Sequence, residues 1–371
     1  MYTFDDDIYF TKEDTEKLHQ HRYNCTDNSI LNKYILNKYV YQPILKYLIP
    51  KWIAPNIISI FGLVFCVLTL PVNYSNVFGR FEYLVTAFLV MLYQLFDSLD
   101  GMQARYTKSS SALGELVDHG IDALTSGILL LLLSLQCGMT QQERCVLLVV
   151  GYFVFYVTHY TSYFTEHMEF GYILNPTEAL VTLSIFMICR TIFGITSDVF
   201  KSYKVGSFSI NFIIVCVIAT LALIYIVIEL SKIIRYDGLF NVMISYIVIS
   251  LSSVLILLSQ SNSIILDQTK VFIAILFLAH YNQLFIAHAI LQIEHPKIGY
   301  FYSTVIIMAI IIFINISGYN MIGGTLYEND SYASVIFVFV TLTFTCVGEV
   351  SLVLNCFCVF SRVLRIHPFT V

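Results

Sequence analysis

The sequence predicts an all-α polytopic membrane protein, and three observations predict it. The 371-residue chain is 57% hydrophobic and only 12% charged. Its mean hydropathy is +0.76. Apolar runs of spanning length recur along it, enough for about ten transmembrane helices. The expected spans are 57–75, 82–104, 115–137, 144–165, 178–198, 208–231, 239–260, 270–291, 299–319 and 333–361. Runs this long argue for helices rather than a barrel, whose strands are shorter and alternate.

The chain divides into residues 1–52 and 53–371. Residues 1–28 are polar and charged, which suits a loosely ordered tail. Residues 29–52 mix Tyr, Leu and Ile with Lys, and Pro43 and Pro50 break them into short pieces. An interfacial amphipathic helix on the membrane surface has this composition. Ala54-Pro55-Asn56 then marks a helix start, with Asn56 able to cap. From 53 onward the chain reads as one membrane domain without a long linker or a clear repeat. The acidic start MYTFDDDIYFTKED has no apolar signal-peptide core, so the first span is expected to direct insertion.

Lys and Arg set the expected orientation. Lys12, Lys17, Arg22, Lys33, Lys38, Lys46 and Lys51 precede the first span. Arg105, Lys108, Lys232, Arg235, Lys297, Arg362 and Arg365 fall on the same side. Fewer fall opposite, which places both termini on the cytosolic side. Nothing in the charge distribution suggests a nucleic-acid surface. The nine cysteines are scattered, mostly within apolar runs, and read as small buried residues. Asn329-Asp330-Ser331 is a weak glycan-acceptor signal in a loop expected on the lumenal side.

Against this apolar background, residues 97–122 read DSLDGMQARYTKSSSALGELVDHGID. Asp97 and Asp100 are three apart, and Asp118 and Asp122 four apart, so each pair shares one helix face. Two converging pairs make a tetra-carboxylate cage. Arg105 and Lys108 are too few to balance it, so cations are required. Hard oxygen ligands suit Mg²⁺ or Mn²⁺. Two dications beside a phosphate indicate phosphoryl-group transfer. Gly101, Ala104 and Gly114 remove bulk beside the acids, for close helix approach or for a pyrophosphate. Arg105 offers a fork to phosphate oxygens.

The pattern D-x2-D-G-x2-A-R-x8-G-x3-D-x3-D is complete, as Asp97, Asp100, Gly101, Ala104, Arg105, Gly114, Asp118 and Asp122. It resembles the signature of the CDP-alcohol phosphotransferase family. Gln103-Ala104-Arg105, the serine run, Leu113-Gly114-Glu115-Leu116 and Asp118-His119-Gly120 resemble its eukaryotic choline/ethanolamine branch. Residues 50–63 also resemble the family's opening into its first span, and 159–179 a further block.

The resemblance implies a metal-dependent enzyme with two ions per site. It would transfer phosphocholine or phosphoethanolamine from CDP-choline or CDP-ethanolamine to diacylglycerol, releasing CMP. Asp97, Asp100, Asp118 and Asp122 would be ligands, with Asp97 and Asp118 bridging. Asn56 and Glu115 match positions that contact the CDP moiety. His119 matches the histidine proposed as proton acceptor in this branch, whereas Asp122 is the base in other accounts. Met102 and Lys108 depart from the family, where a basic residue and, in close relatives, Asn stand. Lys108 remains a candidate for phosphate or cytidine. The resemblance further implies the endoplasmic reticulum or a related endomembrane, a cytosol-facing site and a homodimer.

Two other functions fit less well. A relative using inositol, serine or glycerol phosphate as acceptor would not be expected to carry the Asp-His-Gly variant and ten spans. A cation transporter should show inverted repeats. Among singular polar residues, Arg190, Glu229, Glu349, His159, His280 and His288 fall in or near spans and are functional candidates by default. Glu178 reads as a helix-start carboxylate, with contact to an ammonium headgroup as the alternative.

Overall fold

The computed structural model describes residues 21–234 except 76 and 173, then 264–292 and 330–371, with Leu18 and a few residues between 246 and 257. The chain is an all-α integral membrane protein. Among the described residues, eight helices are long and apolar enough to cross a membrane. The expected span 299–319 lies outside the described residues, and most of 239–260 does too. The glycan-acceptor loop also falls mainly outside them.

A π-wound segment, Asn32–Tyr41, runs directly into α1, Gln42–Tyr47. The first spanning pair follows as α2, Pro55–Ser75, and α3, Glu82–Thr107. Next come α4, Ala112–Gln136, α5, Gln141–Thr165, and α6, Pro176–Phe193. A short α7, Ser197–Ser202, precedes α8, Ile210–Ile233. The last two are α9, Ile264–Leu291, and α10, Asp330–Leu364. The expected span 178–198 is corrected at its end. Gly194 adopts a left-handed φ of 63° and caps α6 there, so 195 and 196 belong to the connection and 197–198 to α7.

Hydrogen bonds sort the helix ends into two layers. At one end Asn56 Nδ2 donates to the Pro368 carbonyl at 2.7 Å, and Lys232 Nζ reaches Glu169 at 3.4 Å. At the other, Gln136 Nε2 donates to Asn73 Oδ1, and Tyr74 Oη donates to Gln268 Oε1 at 2.8 Å. Arg190 belongs to this second layer. Its guanidinium donates to the carbonyl and side chain of Gln136 and lies 3.8 Å from the Tyr83 ring centre. Arg190 is thus a buried clasp between α3, α4 and α6, far along the helices from the acidic motif.

The core gathers around α4, which packs against α2, α5, α9 and α10. Gly127 sets one of these approaches. A Cβ there would stand 2.3 Å from Tyr152 Oη and 2.6 Å from Ile275 Cγ2. Tyr152 is fully buried and donates to the Ile275 carbonyl at 3.2 Å, so it has no room to withdraw. His280 Nδ1 donates to Glu349 Oε2 at 2.9 Å, an acid–base pair between α9 and α10. His288 Nδ1 donates to the Leu284 carbonyl at 2.8 Å. Both histidines are therefore hydrogen-bonded within the bundle.

Two small sheets escape the periodicity reading. Strand β1, Cys25–Asp27, pairs in parallel with β2, Met168–Phe170. Strand β3, Lys204–Val205, makes a hairpin with β4, Phe208–Ser209. Two or three residues are too few to show alternation.

Two stability outcomes follow from local geometry. Gly→Ala inside a helix ordinarily stabilises by about 0.5–1 kcal/mol. Gly127→Ala is expected to reverse that sign and cost about 1–3 kcal/mol through overpacking, read by thermal unfolding in detergent. Lys108 caps α3 in the left-handed region at φ 60°. Lys108→Gly is expected to stabilise by about 1 kcal/mol in the same measurement.

Candidate active site

Helix α3 ends at Thr107 and α4 begins at Ala112, so a tight turn returns the chain antiparallel. Lys108 makes that turn with its positive φ, where the Asn expected from the resemblance would also be tolerated. Ser111 caps α4 by accepting from Gly114 N at 3.1 Å. Asp97 lies ten residues before the end of α3, and Asp122 ten after the start of α4. At 1.5 Å per residue both sit about 15 Å from the turn. The hairpin alone therefore brings the two acidic pairs to matching depth.

Asp97, Asp118 and Asp122 offer carboxylate oxygens that all lie within 4.8 Å of one another. Among the described residues, no Lys or Arg nitrogen comes within 4.0 Å of these carboxylates. Three converging acids with no Lys or Arg nitrogen within that distance suit a hard cation, and the all-oxygen donor set fits that use. Tyr93 Oη donates to Asp122 Oδ1 at 3.1 Å and lies 2.9 Å from Thr125 Oγ1, which fixes that carboxylate.

Asp100 stands apart from this trio. It is buried, Ser59 Oγ donates to its Oδ2, and Gly101 N donates to its Oδ1 at 2.5 Å. The expected cage of four is thus a cluster of three, with the fourth acid tied to α2. Gln103 fixes the approach to that helix, donating to the carbonyls of Pro50 at 3.1 Å and Ile53 at 2.9 Å.

A Cβ at Gly101 would find its nearest neighbour, Arg105 Nη1, at 3.4 Å. At Gly114 the nearest is Ser111 Oγ at 3.5 Å, then Asn56 Oδ1 at 3.8 Å. At Gly101 the neighbours are the movable end of Arg105, and at Gly114 two polar side-chain oxygens. At Gly62 they belong to α3 itself, Phe96 Cβ at 3.4 Å and Asp97 N at 3.7 Å, so α2 and α3 pack closely there. Arg105 folds over Gly101 and is exposed. Ala104 accepts through its carbonyl from Lys108 N and Ser109 N, at the mouth of the same face.

The remaining candidates meet the two ends of the chain. Asn56 lies inside the first turn of α2, not at a cap, and its Nδ2 is held by the Pro368 carbonyl. His21 Nε2 donates to Glu115 Oε2 at 2.7 Å. His119 is buried, with Nδ1 4.0 Å from Asp122 Oδ2 and Nε2 without a partner. Glu178 does more than face the dipole of α6. Its Oε1 accepts from Ser29 Oγ at 2.7 Å and Leu31 N at 3.1 Å, while Asn175 caps the helix. Ser59, Tyr93, His21 and Pro368 were not legible as site residues, because each acts through a contact distant in sequence.

The family model described as CDP-alcohol phosphatidyltransferase matches residues 52–244, which contain every motif residue above. The chain belongs to that family. Cholinephosphotransferase 1 of Gallus gallus is 30% identical over 199 residues, 52% of this chain and 58% of the relative. Choline/ethanolaminephosphotransferase 1 of Saccharomyces cerevisiae is 29% identical over 186 residues, 48% of this chain and 47% of the relative. An uncharacterized class-I family protein of Schizosaccharomyces pombe is 33% identical over 181 residues, 47% of each chain. The chain thus spans about half the length of the curated relatives it matches. The family match covers 52–244, so α9, the C-terminal Pro368 and the N-terminal segment reach the site from outside it.

The cluster ranks the aspartates. Asp97→Asn, Asp118→Asn and Asp122→Asn are each expected to weaken Mn²⁺ binding by roughly 100-fold or more, read by electron paramagnetic resonance titration. Asp100→Asn is expected to weaken it less, since that carboxylate already has two protein donors.

Proposed function

We propose that this protein transfers phosphocholine or phosphoethanolamine from CDP-choline or CDP-ethanolamine to diacylglycerol, releasing CMP. The observation that carries this reading is the Asp97–Asp118–Asp122 cluster, which no Lys or Arg nitrogen reaches within 4.0 Å among the described residues. Such a cluster needs cations, and Arg105 beside Gly101 offers donors to a pyrophosphate. Membership of the CDP-alcohol phosphatidyltransferase family and likeness to cholinephosphotransferases support the donor and the acceptor.

Asp97, Asp118 and Asp122 would hold Mg²⁺ or Mn²⁺, with Asp100 contributing to a second ion. Bound dications would neutralise the donor's pyrophosphate and the departing CMP. Arg105 is placed to bind phosphate oxygens as a fork, and Lys108 stands exposed at the same mouth. Gly101, Ala104 and Gly114 would lie beside the phosphates, and Asn56 and Glu115 would contact the CDP moiety. A nucleotide there has to replace the Pro368 carbonyl at Asn56. His119 would take the hydroxyl proton of the acceptor. The freed oxygen attacks the phosphorus in line, and the bond to the CMP phosphate breaks with its electron pair leaving on CMP. His119 suits the task because Nε2 has no protein partner and Nδ1 faces Asp122.

The surroundings support a site on the cytosolic face of an endomembrane. Lys33, Lys38, Lys46 and Lys51 lie near the rings of Tyr34, Tyr39, Tyr47 and Tyr106, within 4.9–5.6 Å of the ring centres. Exposed Tyr34, Tyr39, Tyr47 and Trp52 suit headgroup depth. A lipid hydroxyl at that depth meets the acids without leaving the bilayer.

Purified protein with diacylglycerol, Mg²⁺ or Mn²⁺ and each CDP-alcohol is expected to release CMP, and Asp118→Asn to abolish it. Silence with both donors from folded protein would move the reading to another reaction of the family or to a non-catalytic lipid binder. His119→Gln is expected to lower kcat by roughly 10²–10⁴-fold while Mn²⁺ binding persists. Near-normal turnover would return the base role to Asp122.

A further inference from the structure

Among the described residues no hydrogen bond orients the His119 imidazole. Its Nε2 has no partner, and its Nδ1 stands 4.0 Å from Asp122 Oδ2, beyond bonding distance. A working histidine usually has one nitrogen fixed by a carbonyl or carboxylate. Here two aromatic rings stand against it instead. The His159 ring lies 5.0 Å away between centres at 83°. The Tyr23 ring lies 5.4 Å away at 65°. Both are edge-to-face contacts, which carry directional preference.

Each neighbouring ring is itself anchored. His159 is 7% exposed, Nδ1 donates to the Phe155 carbonyl at 2.9 Å, and its ring lies 4.3 Å from that of Phe155. Its tautomer follows: Nδ1 carries the proton, and the unpartnered Nε2 carries the lone pair. Tyr23 is half-exposed, and its hydroxyl points at Met168 Sδ at 3.9 Å. The parallel pairing of Cys25–Asp27 with Met168–Phe170 holds the backbone just beyond it. Asn175 Nδ2 adds a bond to Asp27 Oδ1 at 2.7 Å, and Glu178 binds Ser29 and Leu31. His21 bonds Glu115 on the near side. The segment 21–31 is therefore strapped across the top of α4 by contacts to three separate elements. His21, Tyr23, His119 and His159 all line one cavity of about 520 Å³, whose far wall is Ile286 and Ile290 of α9.

We infer that Tyr23 and His159 are positioning residues for His119, and that the N-terminal segment is an integral part of the site. Tyr23 lies outside the residues matched by the family, which begin at 52. This inference rests on the proposed role of His119, but the ring contacts can be tested without the reaction.

Two readouts are compared in full-length protein: CMP release, and the rate at which diethyl pyrocarbonate acylates His119, followed by peptide mass spectrometry. Tyr23→Ala and His159→Ala are expected to lower kcat by roughly 10- to 100-fold, as misplacement of a reacting group does. KM for the CDP-alcohol and Mn²⁺ affinity should stay within about twofold of the unmodified protein, and His119 should acylate several-fold faster. Tyr23→Phe and His159→Phe keep a ring edge and should restore both readouts. Tyr23→Leu keeps apolar bulk without a ring, so it separates orientation from packing if the alanine variant unfolds, and it should behave like the alanine variant. Unchanged kcat and acylation in the Ala and Leu variants would overturn the inference, as would a kcat loss matched by equal loss of Mn²⁺ affinity. If the unmodified protein releases no CMP while the acylation rates shift as stated, the reaction assignment fails and the positioning stands.

Discussion

Three carboxylates converging inside a membrane protein, with no Lys or Arg nitrogen within 4.0 Å among the described residues, are the constraint on which the rest depends. Mutual repulsion in a low-dielectric setting would push them apart unless a cation joins them. The fold holds them together by brute geometry. A turn made by Lys108 and capped by Ser111 folds α3 against the start of α4, so Asp97 and Asp122 arrive at one depth. Tyr93 then fixes Asp122, and Ser59 draws Asp100 toward α2. The small residues complete the arrangement, with Gly62 packing α2 against α3 at Asp97 and Gly101 lying under the Arg105 guanidinium.

Charge handling elsewhere follows a different rule. Arg190 and His280 are paired inside the bundle, each against acceptors on a neighbouring helix. Those groups cost little once bonded and serve to lock helices together. Arg190 and His280 each bond a neighbouring helix, whereas the acidic trio has no Lys or Arg nitrogen within 4.0 Å among the described residues, and that contrast separates structural from chemical ionisable residues. It is also why His119 and His159 draw notice: each keeps a buried ring nitrogen without a partner beside that cluster.

Both ends of the described chain converge on the same face. The N-terminal segment brings His21 to Glu115 and Tyr23 to His119, while the Pro368 carbonyl meets Asn56. Residues that the family motif assigns to the donor are thus held by parts of the chain that the motif does not include. The site is built by the whole sequence order, not by the signature alone.

The sequence by itself determined the membrane class, most span positions and the acidic motif. These are local properties: apolar length sets a helix in lipid, and i, i+3 or i, i+4 spacing sets a helix face. It also carried the candidate ligands and His119, because their spacing lies within one hairpin. Tertiary structure alone decided which acids meet, since three cluster and Asp100 turns to Ser59 across 41 residues of chain. It distinguished Gly127, where a Cβ would collide with Tyr152 and Ile275, from Gly101 and Gly114, where one would meet only ordinary contacts. It also assigned Glu178 to the N-terminal strap and brought Tyr23 and His159 onto His119. Contacts between residues far apart in the chain leave no periodicity or spacing to read, so only the folded bundle reveals them.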